Sequence, residues 1–143
     1  MSELDKDVAR ILSTYESAVF KKDVKTFMHL YDPSVRVFDA WGVWLHEGSD
    51  AWQRAVEGWF TSLGAERVKV TFEDVKSWGS KEITSVCAVV TYAGLSATGE
   101  QLRSMQKRIT WVLRTSGHVV ARIVHEHTSA RIGFEDNKAI LAR

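Results

Sequence analysis

One aspartate, Asp39, stands where a carboxylate is poorly solvated. The residues of Val35–Trp41 alternate as in a strand, which puts Asp39 on one face with Val35, Val37 and Trp41. An apolar setting strengthens a carboxylate as a proton acceptor, which is what a general base needs. The plainer account has Asp39 at a strand end, accepting backbone N–H groups from the Trp41–Gly48 loop. Tyr15 falls on the apolar face of a helix, and a buried phenol finds a partner in either a nearby carbonyl or a ligand oxygen. His125, Glu126 and His127 invite a metal reading. Strand alternation sends the two histidines one way and Glu126 the other, and no third ligand stands at a telling spacing, so no metal site is expected. The single cysteine, Cys87, lies in the apolar run Ile83–Tyr92 and reads as a buried, inert thiol.

Composition narrows the partners. The 143 residues suit one domain, and 19 Lys plus Arg against 18 Asp plus Glu leave a formal charge of +1. So even a balance gives no field to attract nucleic acid or anionic lipid. No apolar run approaches the roughly 20 residues of a membrane span. The polar start, Ser2, Glu3, Asp5 and Lys6, does not read as a signal peptide, and an unpaired cysteine fits a cytoplasmic setting. Six tryptophans in a chain this short point to a lined cavity or a large interface.

These residues must be positioned by a definite order of elements. Leu4, Val8, Ile11, Leu12, Tyr15, Ala18 and Val19 recur at helical spacing, with Ser2 as a possible cap. Asp23 reads as the cap of a short second helix carrying Val24, Phe27, Met28 and Tyr31 on one side, stopped by Asp32-Pro33. After the Val35–Trp41 strand, Ser49 or Asp50 caps a third helix. Its stripe is Trp52, Ala55, Val56, Trp59, Phe60 and Leu63, and Gly64 closes it. Everything later reads as strand: Val68–Glu73, Ile83–Tyr92, Lys107–Arg114 and, after a Thr115-Ser116-Gly117 turn, Val119–Thr128. The tail, Ala130–Arg143, has no pattern and reads as a loose extension (131–143) beyond a single domain (1–130). The predicted class is α+β, with three helices packed on a curved antiparallel sheet that encloses a pocket.

Three stretches carry a resemblance. Tyr31-Asp32-Pro33 through Val37-Phe38-Asp39, then Leu45-His46-Glu47-Gly48-Ser49-Asp50, resemble the association (hub) domain of calcium/calmodulin-dependent kinase II. Arg122-Ile123-Val124-His125-Glu126-His127-Thr128-Ser129 resembles the His-x-His-x-Ser ending of those domains. Tyr15, Asp39 and the turn Asp39-Ala40-Trp41-Gly42 are similar to the tyrosine, base and turn of ketosteroid isomerase. All belong to the nuclear transport factor 2-like superfamily, which includes the SnoaL-like polyketide cyclases and implies a cone-shaped fold.

The resemblance implies that Glu126 faces the pocket, while His125 and His127 lie on the outer face with Ile123, where relatives dimerise. Arg108 and Thr110 share that outer face. The lining it implies is Phe27, Trp41, Trp59, Val90, Ile109, Trp111, Val124 and Thr128, for which simple core packing is the alternative. Ile109 falls where the isomerase has a second acid. Val90, Trp111 and Thr128 fall where hub domains present arginines. With those cations gone and two carboxylates present, the expected ligand is neutral or weakly cationic, aromatic or alicyclic. One reading is a cofactor-free isomerase, cyclase or dehydratase with Asp39 as base, Tyr15 steadying the oxyanion and Glu126 as second acid or base. The other is a non-catalytic module that binds a ligand or assembles as a homodimer or larger ring through the outer face.

Overall fold

The computed structural model describes residues 3–115 and 120–143, with side chains from Asp5 onward. Ser2, the side chain of Leu4, the Ser116-Gly117 part of the last turn and the strand start at Val119 lie outside the described residues.

Helix α1 (Glu3–Lys21) buries Val8, Ile11, Tyr15, Ala18 and Val19, the stripe its spacing predicts. Asp23 caps α2 (Val24–Met28) by accepting from the Thr26 amide at 3.1 Å. This helix ends sooner than its pattern suggests. The Leu30 amide closes the turn on Phe27 O, and Leu30 O accepts from the Ile123 amide at 2.8 Å. Tyr31 is therefore the first residue of strand β1 (Tyr31–Phe38), not a residue of the helix, because a long-range ladder wins over helical spacing. The two-residue strand β2 (His46–Glu47) pairs with β1. Helix α3 (Ser49–Ser62) starts from Gly48, whose φ of 85° favours glycine. Neither Ser49 nor Asp50 is its cap residue, although Asp50 in the first turn suits the helix dipole.

Four long strands follow: β3 (Arg67–Gly79), β4 (Ile83–Leu95), β5 (Gln101–Arg114) and β6 (Arg122–Ser129). With β1 and β2 they form a six-stranded sheet of order β2-β1-β6-β5-β4-β3. The hairpin-joined strands are antiparallel, as expected. The β1–β6 pair is parallel, since no hairpin joins those two strands and nothing forces the opposite sense. Cys87, expected to be buried, is half-buried within β4.

The last strand carries the main correction. Val112 pairs with His125 but Leu113 pairs with Ile123, so Val124 is the extra residue of a β-bulge. The bulge resets the alternation. Ile123, expected outside, is 0% exposed in the core, and Val124, expected in the pocket, is neither a cavity residue nor packed against the core. Beyond the bulge the parity is as read: Glu126 and Thr128 are buried and His127 is exposed.

The tail is not loose. Strands β7 (Arg131–Ile132) and β8 (Ala139–Ile140) form a small hairpin. Beyond it the chain returns to β5, where the Gln106 amide donates to Leu141 O at 2.8 Å and Gln106 Oε1 accepts from the Arg143 amide at 2.7 Å. The helices cover one face of the sheet, and Phe27, Tyr31 and Trp111 are the largest fully buried side chains there.

The bulge makes unequal demands on adjacent residues. Ile123→Ala should destabilise the protein by about 2–5 kcal/mol in urea unfolding, against at most about 0.5 kcal/mol for Val124→Ala. Equal costs at the two positions would mean that the bulge is misplaced.

Candidate functional site

Between the helices and the sheet lies a cavity of about 580 Å³, within the usual range for small-molecule sites. Trp52, Ala55, Val56 and Trp59 from α3, with Leu63 just past its end, form one apolar wall, and Val68 and Met105 extend it. The α3 stripe divides its work: Trp52, Val56 and Phe60 are buried while Trp59 packs beside them. Trp59 lies with its ring 6.0 Å from that of Tyr92. Trp41 lines the mouth from the loop after β1, and Leu141 reaches it from the tail.

The polar groups gather on the sheet side. Tyr15, Asp39, Tyr92, Lys107 and Glu126 all line this cavity. Asp39, just past the end of β1, is anchored by Thr128, whose hydroxyl donates to Asp39 Oδ1 at 2.9 Å while accepting from the Ala40 amide at 2.8 Å. Thr128 thus orients the carboxylate from behind. Lys107 Nζ stands 3.6 Å from the same Oδ1, and its side chain is 6% exposed against 19% for Asp39. The ammonium also lies 4.9 Å from the centroid of the Tyr92 ring, in cation–π range.

Glu126 is fully buried, and Tyr31 OH and Trp111 Nε1 both donate to its Oε1, at 2.5 and 2.8 Å. Burial lifts its carboxyl to about 6. The Tyr31 and Trp111 bonds pull it down, the nearby Asp39 charge raises it again, and Lys107 lowers it. A carboxyl poised there can give or take a proton near neutral pH. Trp52 Nε1 completes no hydrogen bond, and its pull on the neighbouring Tyr31 phenol is that of a nearby dipole.

Tyr15 does not stand alone. Its hydroxyl shares a 2.8 Å hydrogen bond with that of Tyr92. One phenol proton lies between the oxygens and the other remains to donate elsewhere. Burial foremost pushes Tyr15, Tyr92 and Tyr31 above the usual tyrosine range, with the Glu126 charge adding to it, so all three act as donors rather than bases. The Tyr15 ring is wedged among Phe27, Phe72 and Trp111, with centroids 5.0, 5.5 and 5.7 Å away.

The structure therefore brings together Asp39, Tyr15 and Glu126 with Trp41 and Trp59 around one cavity. Phe27, Val90, Ile109 and Trp111 are buried in the core and do not line it, although Trp111 reaches it indirectly through Glu126. Thr128 acts through Asp39. Arg108, Thr110, His125 and His127 lie on the opposite, helix-free face. There Thr110 pairs with His127, Arg108 Nε donates to Ser129 Oγ, and the His125 ring bonds Arg36 O at 2.7 Å. Among the described residues no cluster of three or more His, Cys, Asp or Glu could hold a metal, and no helix is long and apolar enough to cross a membrane.

Sequence reasoning missed Lys107, Tyr92, Arg103 and Leu141. The first two were legible. Lys107 interrupts the inward series Met105, Ile109, Trp111, Leu113, and Tyr92 continues Val86, Ala88, Val90. Arg103 pairs with Glu66 at the mouth, and the two-residue strands leading to Leu141 leave no periodic mark.

A curved sheet backed by helices around one cavity is the nuclear transport factor 2-like fold, also called cystatin-like. The chain belongs within it to the SnoaL-like domain family, whose pattern matches residues 8–133. No protein of curated function matches the sequence. Among solved structures it is similar to an NTF2-like protein of Pseudomonas putida KT2440, with 18% identity over 99% of this chain and 96% of that one and a TM-score of 0.84. It also resembles a Xanthomonas campestris protein classed as a calcium/calmodulin-dependent protein kinase II association domain (17% identity, 87% and 86% covered, TM-score 0.73). A Catenulispora acidiphila protein in complex with S-DNPA is a third (11%, 90% and 94%, TM-score 0.74). At these identities the likeness is one of fold.

The raised carboxyl has a measurable sign. Folding favours protonated Glu126, so its contribution is present in full below the unfolded value of 4.5 and is lost as pH rises through about 6. The loss is about 2 kcal/mol. Glu126→Gln should abolish that part of the stability–pH profile between pH 4 and 7, and an unchanged profile would remove the assignment.

Proposed function

We propose that the protein is a small-molecule-binding domain that moves a proton beside the carbonyl of a neutral, largely apolar ligand. The observation that carries this reading is the convergence of Asp39, Glu126 and the Tyr15–Tyr92 pair on one apolar cavity. Asp39, fixed by Thr128, is the base. The phenol proton left over by the tyrosine pair donates to a ligand oxygen. Glu126, with Oε1 occupied by Tyr31 and Trp111, has Oε2 for a second proton transfer. Isomerisation, cyclisation and dehydration all reduce to such steps, and the reading calls on no cofactor. Lys107 offsets Asp39, so the pocket suits an aromatic or alicyclic ligand without net charge. The S-DNPA complex of the Catenulispora acidiphila protein supports a ligand in a fold of this kind. Half-buried, unpaired Cys87 supports a reducing, cytoplasmic setting.

The test is a thermal-shift screen against polycyclic ketones, carboxylates and amines, followed by turnover assays on the compounds that bind. Asp39→Asn should lower turnover by at least roughly 100-fold with the melting temperature preserved. Full turnover in that variant would sink the catalytic reading.

The outer sheet face favours a second reading, in which the chain assembles with itself. Among the described residues no helix covers that face, and the Phe38 ring stands edge-on to both His125 and His127, at 5.1 and 5.4 Å. Thr110 shares that face, paired with His127, and a two-fold contact can use such a polar surface. Light scattering should give a dimer, or a larger ring, that Thr110→Arg breaks into monomers. A wild-type protein that is monomeric at high concentration would end this reading.

A further inference from the structure

Lys107 has no part in the proton transfer just described, yet it is among the most costly residues to place where it stands. Its neighbours on that strand face are apolar (Met105, Ile109, Trp111, Leu113) apart from Arg103, which pairs with Glu66, and a methionine or leucine there would pack without penalty. The ammonium lines the cavity with its side chain 6% exposed. Its polar neighbour, Asp39 Oδ1, lies at 3.6 Å, beyond the 2.7–3.2 Å of an N–H···O hydrogen bond. That oxygen already accepts from Thr128. The Tyr92 ring covers another side of the ammonium without accepting a hydrogen bond from it. Among the described residues no protein acceptor stands within hydrogen-bonding range of its three N–H donors, which face the cavity. Buried donors are rarely left so, and a ligand that completes them is the physical explanation that fits a group lining an open cavity.

The tyrosine pair supplies one donor to that oxygen. Tyr15, the residue that the ketosteroid isomerase resemblance casts as oxyanion donor, shares its hydrogen bond with Tyr92, so the pair has a single phenol proton to give, and Ile109 offers no second donor. An ammonium beside the base is the stronger partner for a developing negative charge.

We infer that Lys107 receives the ligand's oxygen: its ammonium donates to the carbonyl and holds the charge that this oxygen gains as Asp39 takes the adjacent proton. The C–H bond breaks, its proton passes to Asp39, and the electron pair moves through the new C=C bond onto oxygen, giving an enolate paired with Lys107. Nothing leaves and nothing is oxidised. The inference rests on the ligand-binding reading above and narrows its substrate class to enolisable ketones or esters, neutral in solution and anionic only as the bound intermediate.

An enolate mimic tests this without turnover. The probes are a nitronaphthol that is ionised at neutral pH and its uncharged methyl ether, titrated into the protein by absorbance and thermal shift. Wild-type protein should bind the naphtholate at least roughly 10-fold more tightly than the ether, the scale of one charge-assisted hydrogen bond. Lys107→Met should remove that preference by weakening naphtholate binding roughly 10- to 100-fold, while the ether binds as before. Lys107→Arg, which keeps the charge, should retain the preference and stands in if the methionine variant does not fold. Equal binding of the two probes by wild-type protein, or a preference surviving Lys107→Met, would overturn the role of Lys107 and leave the ligand-binding reading intact. Binding of neither probe would overturn both.

Discussion

A carboxyl group removed from water is tolerated only where donors replace the water, and Glu126 organises this fold through that requirement. Its two donors come from different strands. Tyr31 opens β1, and Trp111 stands directly opposite Glu126 in the β5–β6 ladder. Both bonds to one oxygen exist only if β1 lies parallel beside β6 and β5 keeps its register. The interaction therefore fixes three strands against each other at the point where helices and sheet enclose space. The Tyr31 and Trp111 rings that deliver the donors are also among the largest fully buried side chains, so polar satisfaction and packing are met by the same residues.

Where the sequence was legible, one element carried its own periodicity. The α1 and α3 stripes, the Asp23 cap and the two-sided apolar β4 could all be read from spacing. Tyr31 could not, because it sits at helical distance from Phe27 while the ladder that claims it pairs with distant Ile123. The bulge at Val124 was equally hidden, since an extra residue in a strand leaves no compositional mark and inverts every side chain on one side of it. Asp39 was found from its own apolar neighbours. Glu126 was placed by family resemblance, and its two donors were invisible until the strands were assembled.

Charge was the other gap. Counting carboxylates against the expected hub arginines suggested a cavity with unopposed negative charge, because Lys107 was read as the polar start of a strand. β5 begins earlier, at Gln101, and this moves Lys107 from a strand end to the middle of an inward-facing row. With Lys107 and Asp39 facing each other, their opposite charges form a dipole in the cavity wall beside Glu126. A dipole beside an apolar wall orients a ligand as well as holding it, since that wall screens it weakly.

The short tail hairpin has a consequence of another kind. One wall of the cavity, at Leu141, belongs to a segment fastened to β5 largely through a single residue, Gln106, and it contributes nothing to the central core. Its length and side chains can drift without disturbing the packed interior, whereas the sheet and helices are held by mutual burial. A scaffold divided in this way can change its clientele faster than its architecture. That division gives a physical reason why the shape persists in the Pseudomonas putida structure at 18% identity while the contents of the cavity need not be shared.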